Sequence, residues 1–184
     1  QTLTDIYGAW TLTESTGVWV YNLDDSDAQT NALALNAQVT ETVVATVSDG
    51  AGDTASITLT ITITGANDAP TSAAVTVANA EDTLITYTAA NFAFSDDDTG
   101  DSISRIKITI LESAGALECN DKNGLTAGWE ACVADDYVAA GTDLRFTPAL
   151  NSVADVTFSF MVYDGTAYSA AAYILTTTHS AVND

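Results

Sequence analysis

Three carboxylates, Asp96, Asp98 and Asp101, stand around Gly100 in the run Ser95-Asp96-Asp97-Asp98-Thr99-Gly100-Asp101. Hard oxygen donors at nearly alternate positions, on a turn that glycine permits, can converge on one cation, as calcium loops do. Left bare they would repel one another, and a bound cation removes that cost. A solvated acidic turn is the other reading of the same residues. The whole chain is short of positive charge: 25 acidic against 4 basic residues give a net −21. All four cations (Arg105, Lys107, Lys122 and Arg145) follow residue 70, so the acids before it have no cation of their own segment to pair with. Nucleic acid as a partner is excluded, because it requires a basic footprint. The acidity is either a solubilising surface suited to salty water or a charge completed by divalent cations. The clustering of acids at turns favours the second, with Ca2+ as the cofactor.

Cys119 and Cys132 flank a polar loop that contains Asp121, Asn123, Gly124 and Gly128. An even cysteine count in a loop-rich, extracellular type of chain predicts a disulfide, worth about 3 kcal/mol by chain entropy. Two free thiols, or half a metal site, is the alternative, and zinc lacks His or Cys partners nearby. Trp129 lies inside that loop beside Gly128 and Glu130, which makes it the aromatic side chain to consider for ligand contact, together with Asp121 and Asn123. Trp10 and Trp19 fit cross-strand packing instead. Catalysis has little to build on. His179 is the sole histidine and reads as an exposed edge residue. No Gly-x-Ser-x-Gly elbow occurs. The Asp135-Asp136 pair has the chemistry for acid–base work but fits a turn or a further cation site better. The expectation is a protein that is not an enzyme. No apolar run reaches the length of a membrane span and no signal peptide is visible, so the chain reads as a mature or excised piece.

The elements that must position these residues are strands. Thr, Val and Ala abound while Lys, Arg and Met are scarce, which suits β-structure over helix. In Thr54–Thr64, Ile57, Leu59, Ile61 and Ile63 alternate with polar residues, most of them threonine, as in a half-buried strand. It ends at Gly65-Ala66-Asn67-Asp68-Ala69-Pro70, where Gly65 offers a turn and Pro70 cannot donate to a ladder. Before it, 7–14 and 18–23 form a hairpin across Ser15-Thr16-Gly17. Residues 32–35 are a helical turn or a loop with buried leucines, and 39–48 pairs antiparallel with 54–64. Beyond Pro70 the predicted strands are 73–78, 84–88, 103–111 (Ile106, Ile108 and Ile110 on one face), 144–148, 156–163 (Val156, Phe158, Phe160 and Val162 inward) and 167–178. The expectation is an all-β protein of two tandem Greek-key β-sandwich domains of cadherin or immunoglobulin type, residues 1–68 and 69–184.

Several separated motifs carry a resemblance. Tyr7-Gly-x-Trp-Thr-Leu12, then Gly17-x-Trp-x-Tyr-x-Leu-Asp24, then Val47-Ser-Asp-Gly-x-Gly52, and a Thr/Ile strand ending Thr64-Gly-Ala-Asn-Asp-Ala-Pro70 resemble the later part of a VCBS repeat of large secreted bacterial adhesins, often of the RTX type. The opening strands of such repeats, with their Asp-x-Asp element, are missing, so the first domain is expected to be truncated at its N-terminus. From Asn67 onward, Asn-Asp-Ala-Pro70, Glu81-Asp-Thr83, Phe94-Ser-Asp-x-Asp-x-Gly-Asp101, Leu144-x-Phe-Thr-Pro148 and Tyr163-Asp-Gly-Thr166 are similar to the cadherin-like tandem repeats of the same adhesins. The cysteine loop departs from that pattern. The resemblance implies that Asp68, Glu81 and Asp82 join the Asp96–Asp101 turn as calcium ligands near a domain junction, with Asp164 at the same end. It also implies that Asp49 and Asp164 occupy equivalent turns, and that Asp184 repeats the role of Asp68. The function implied is a calcium-stiffened extender of a secreted, extracellular adhesin supporting cell-surface or cell–cell attachment, its partners being neighbouring repeats. The alternative is a calcium-dependent glycan- or peptide-binding module built on the Cys119–Cys132 loop.

Overall fold

The long Thr/Ile alternation becomes a strand as its period demands. In the computed structural model, which describes residues 2–125, 128–141 and 143–183, Thr54–Thr64 is β5 and pairs antiparallel over eleven residues with β4, Gln38–Ser48. The described residues are all-β apart from α1, a single turn at Ala28–Asn31, and two short 3-10 turns. They divide into two compact units, residues 1–68 with 97–100, and residues 69–96 with 101–184.

In the first unit, β1 (Thr2–Thr4), β2 (Gly8–Thr13) and β3 (Val18–Leu23) form one antiparallel sheet, and β4 with β5 forms a second. The hairpin β2–β3 turns through Gly17, whose φ of 68° suits glycine. Trp10 lies opposite Tyr21 and packs edge-on against Tyr21 and Trp19, at centroid distances of 5.0 and 6.5 Å. Residues 32–35 are loop, and Leu35 is exposed. The apolar face of β5 is only partly covered: Ile63 is 7% exposed at one end and Ile57 61% at the other. An open cleft of about 670 Å³ runs past that bare end, lined by Leu3, Leu12 and Trp19 on one side and Val44, Ile57 and Leu59 on the other. Glu41, on β4, is buried although the unit contains no cation; its carboxylate accepts the Tyr7 N–H at 2.7 Å and the Tyr21 hydroxyl at 2.5 Å. Burial, then the bond and charge of Glu41, push the Tyr21 phenol far above its ordinary range.

Gly65 has a role other than a turn. Its φ is not in the left-handed region, but a Cβ there would overlap the carbonyl oxygens of Leu33 and Ala34. Its own backbone is tied on both sides: the Gly65 N–H donates to Ala37 O at 2.8 Å, and Gly65 O accepts from the Asn36 N–H at 3.0 Å.

The second unit has two sheets. One runs β10 (Trp129–Ala131), β9 (Ala116–Asn120), β12 (Leu144–Thr147), β7 (Ile85–Tyr87). The other runs β11 (Tyr137–Ala139), β8 (Arg105–Ile110), β13 (Val156–Tyr163), β14 (Tyr173–Ser180), β6 (Val75–Ala80). Their inward residues share one buried cluster, with Tyr87, Leu117, Leu144 and Phe146 from the first sheet and Ile106, Ile108, Phe158, Phe160 and Leu175 from the second. All pairings are antiparallel except β6 with β14, which is parallel over six residues. Val156, Phe158, Phe160 and Val162 all point inward, as their alternation requires. Ile110 does not follow Ile106 and Ile108: it is 65% exposed, because a bulge opposite Ser159 and Phe160 puts one extra residue into β8 and shifts its phase. The closing strand starts at Tyr173 rather than residue 167; the preceding segment returns through an isolated bridge between Tyr163 and Tyr168. His179 is half-buried: it pairs with Asn79 of β6, β13 pairs with β14 only as far as Thr177, and the His179 Nδ1 lies 2.9 Å from Ala154 O.

Cys119 and Cys132 form the disulfide, with Cα atoms 5.2 Å apart and both sulfurs within the core cluster. That excludes the free-thiol and half-metal-site readings.

Tyr87 is 1% exposed, and its hydroxyl lies 2.6 Å from Thr177 Oγ1. Burial pushes the phenol up to about 12. Above the ordinary tyrosine range the unfolded chain ionises this group while the native state keeps its proton. The native state therefore binds more protons, and stability falls as pH rises towards 12. The expected loss is about 3 kcal/mol across that window. Urea unfolding at a series of alkaline pH values should show the fall in the parent chain and a smaller one in Tyr87→Phe, where the phenols of Tyr21 and Tyr168 are still raised. Equal slopes in the two proteins would contradict the assignment.

Candidate metal centre

The Ser95–Asp101 turn is held from behind by core residues. Phe92 is buried against Phe160, with ring centroids 4.9 Å apart, and Phe94 packs on the same cluster. Thr71 and Ser95 exchange backbone hydrogen bonds at 2.7 and 3.0 Å, and the Ser72 hydroxyl donates to Ala93 O at 2.6 Å. The chain then turns through Gly100, whose φ of 97° a side chain rarely adopts, and runs on into β8. Aromatic anchoring before the turn and a glycine within it leave the carboxylates on either side of that glycine facing one another. Each of Asp96, Asp98 and Asp101 offers one oxygen, and the three oxygens lie within 4.8 Å of one another. Among the described residues this is the one group of three or more such side chains.

Asp98 is 4% exposed, and its Oδ2 accepts the Asp68 backbone N–H at 2.8 Å. Asp68 thus meets the turn through its main chain. Its own carboxyl is held above the ordinary range by partial burial, then by the charges of Asp98 and Asp97. The two carboxylates thus add to the effect of burial on Asp68. Three carboxylate oxygens supply about half of the 6–8 ligands that calcium takes, and the donor set is all oxygen, with none of the nitrogen or sulfur that zinc prefers.

The other acids implied by the resemblance have bonds of their own. Glu81 is buried and its Oε1 accepts the Val182 N–H at 2.7 Å. Asp82, at a φ of 56°, accepts the Asn151 N–H at 2.7 Å. Asp164 Oδ1 accepts the N–H groups of Thr166 and Ala167 and so caps its own turn. Asp49 does the same for Ala51, Gly52 and Asp53. Asp184 lies outside the described residues.

In the disulfide loop, Asn123 is turned inward. Its Nδ2 donates to Asp136 Oδ1 at 2.8 Å, and its Oδ1 accepts the Tyr137 N–H at 3.1 Å. Asp121 takes a left-handed φ of 46° at the start of the 3-10 turn Lys122–Gly124. Trp129 lies on β10 beneath the Arg145 guanidinium, 4.2 Å from its ring centroid, and Glu118 holds that guanidinium at 2.8 Å. The two neighbouring acids have separate tasks: Asp135 pairs with Lys107 at 2.8 Å, whereas Asp136 is buried and accepts from Asn123 and the Val133 N–H. The sequence carried one unused signal, since Arg105 and Lys107 alternate with Ile106 and Ile108 and therefore share the outer face of β8. No family model matches the chain, and no curated protein does.

Proposed function

We propose that the chain is a calcium-stiffened extender segment of a secreted bacterial adhesin, working at or beyond the cell surface and performing no catalysis. The Asp96, Asp98 and Asp101 oxygens, gathered within 4.8 Å on an anchored turn, carry this reading. The resemblance to a VCBS repeat followed by a cadherin-like repeat of RTX-type adhesins gives it a context, with Greek-key sandwiches strung in series and neighbouring repeats as partners. The raised Asp68 carboxyl fits the same picture, because a cation would offset the charges of Asp98 and Asp97 that add to burial in raising it. The net charge of −21 suits an environment rich in divalent ions. The loop residues Asp121, Asn123 and Trp129 give less support to the binding-module alternative, since Asn123 and one face of Trp129 are occupied from within.

Calorimetric melting in millimolar calcium and in excess chelator tests the proposal. Extracellular calcium modules bind with a Kd of about 0.1–1 mM. At about ten times Kd, one site adds about 1.4 kcal/mol to the folded state. Calcium should raise the melting temperature by several degrees, and Asp98→Asn should remove the response, as should the double change Asp96→Asn, Asp101→Asn. The same melting curve in calcium and in chelator would end the calcium reading.

A further inference from the structure

Two of the chain's four cations stand together on the outer face of the five-stranded sheet. Ile106, Val138 and Val162 point into the core, so the residues that alternate with them point out. Register places Tyr137 and Met161 beside Lys107, and Tyr163 beside Arg105. Arg105 is exposed, and its guanidinium lies 4.8 Å from the Tyr137 ring centroid and 5.2 Å from that of Tyr163. Tyr168, delivered by the turn after β13, packs on Tyr163 with centroids 4.5 Å apart, and the Lys107 Nζ lies 5.8 Å from its ring centroid.

Charge separates Arg105 from the other three cations. Lys107 pairs with Asp135, Lys122 with Glu130, and Arg145 with Glu118. Arg105 has no carboxylate within ion-pair distance among the described residues, in a chain with 25 acids. Lys107 and Asp135 cancel, leaving this patch with one positive charge on a strongly negative protein. A guanidinium stacked on aromatic faces is orientationally fixed, and its planar fork matches a carboxylate. Tyrosine rings beside it offer flat apolar area at low entropic cost, while the Tyr137 hydroxyl donates to Asn123 O at 3.0 Å.

We propose that the Arg105, Tyr137, Tyr163 and Tyr168 face of the second unit binds an acidic sugar, its carboxylate on the Arg105 guanidinium and the C–H face of its ring on tyrosine. The surrounding charge sets the ligand's size. A polyanion would feel the repulsion of the whole chain, whereas a single carboxylate on a neutral body lies within a Debye length, about 8 Å, of the one local cation. The ligand is therefore an isolated or terminal uronic-acid-type residue, not a polyuronate. This site shares no residue with the acidic turn and needs no metal.

The test is an amide NMR titration of the whole chain in calcium buffer with methyl glucuronide, methyl glucoside and sodium acetate, each to about 10 mM, enough to detect a Kd of about 1 mM. Methyl glucuronide should shift amides of β8, β11 and β13 and bind about tenfold more tightly than the glucoside, which lacks the charge-assisted bond. Acetate, having no ring, should bind more weakly than the glucuronide. Arg105→Gln should bring the acid down to the level of the neutral sugar, and Tyr163→Ala should weaken both. Equal binding of acid and neutral sugars by the parent chain would overturn the proposal, as would acetate matching the glucuronide. A blocked Gly-Glu-Gly peptide binding as tightly as the glucuronide would assign the face to acidic peptides and overturn it too. These comparisons use the unaltered protein, so they decide the matter even if a variant fails to fold.

Discussion

Phe160→Ala is expected to cost about 4 kcal/mol, close to the upper end for a core truncation. The side chain is wholly buried, stacks edge-on against Phe92 and lies 6.2 Å from the Tyr173 ring. β13 lies between β8 and β14, so neither neighbour can close on the cavity without losing ladder bonds. A domain with the usual 5–15 kcal/mol of stability would lose a large fraction of it, and the melting transition of this unit should fall by roughly 15 °C. Ile110→Ala is the matching control. Sequence periodicity places Ile110 with the core residues, but its 65% exposure predicts a change of no more than about 0.5 kcal/mol. Calorimetry on both variants checks the pair, and a large loss from Ile110→Ala would mean that the bulge in β8 is misplaced.

Gly65→Ala is expected to have the largest effect in the first unit, about 3 kcal/mol. The added methyl meets backbone rather than a side chain, the carbonyl oxygens of Leu33 and Ala34. Relief requires moving a segment whose bonds from Asn36 and to Ala37 fix Gly65 on both sides. Little else in this unit can absorb the loss, because its buried apolar side chains among the described residues are Trp10 and Ile63, and the face around Ile57 is bare. Trp10 is the reporter. In a Trp129→Phe background, its emission together with that of Trp19, in the same unit, should shift to the red at a lower temperature in Gly65→Ala than in the parent. An unchanged transition would show that the loop at Leu33 gives way freely.

What the sequence made legible is what local alternation encodes. The paired strands β4 and β5, the β2–β3 hairpin and the inward set of β13 follow from a period of two. The disulfide follows from two cysteines and a polar loop. The gathering of Asp96, Asp98 and Asp101 follows from close spacing around Gly100. Features set by register or by distant segments were not legible. The bulge that exposes Ile110 leaves no mark in composition. Gly65 looks like a turn glycine, and only the approach of residues 33 and 34 reveals its role. Glu81, Asp82 and Asp164 have the chemistry of ligands, yet each accepts backbone N–H groups in its own surroundings. The tyrosines around Arg105 come from β11, β13 and a turn, a convergence that no short window of sequence contains.

The parallel pairing of β6 with β14 decides how the second unit resists tension. These are its first and last strands, matched from Val75 with Leu175 to Ala80 with Ser180. A load applied to the start of β6 and the end of β14 pulls the two strands past each other along their common axis. The rungs between them are then loaded together, and they must shear at once. In the first unit, β4 and β5 run antiparallel with Gln38 opposite Thr64. Pulled apart at that end, their rungs break in succession at low force. A single chain under tension thus contains a mechanical clamp and a zipper, and stretching should open the β4–β5 ribbon well before it ruptures the sheet that β6 and β14 close.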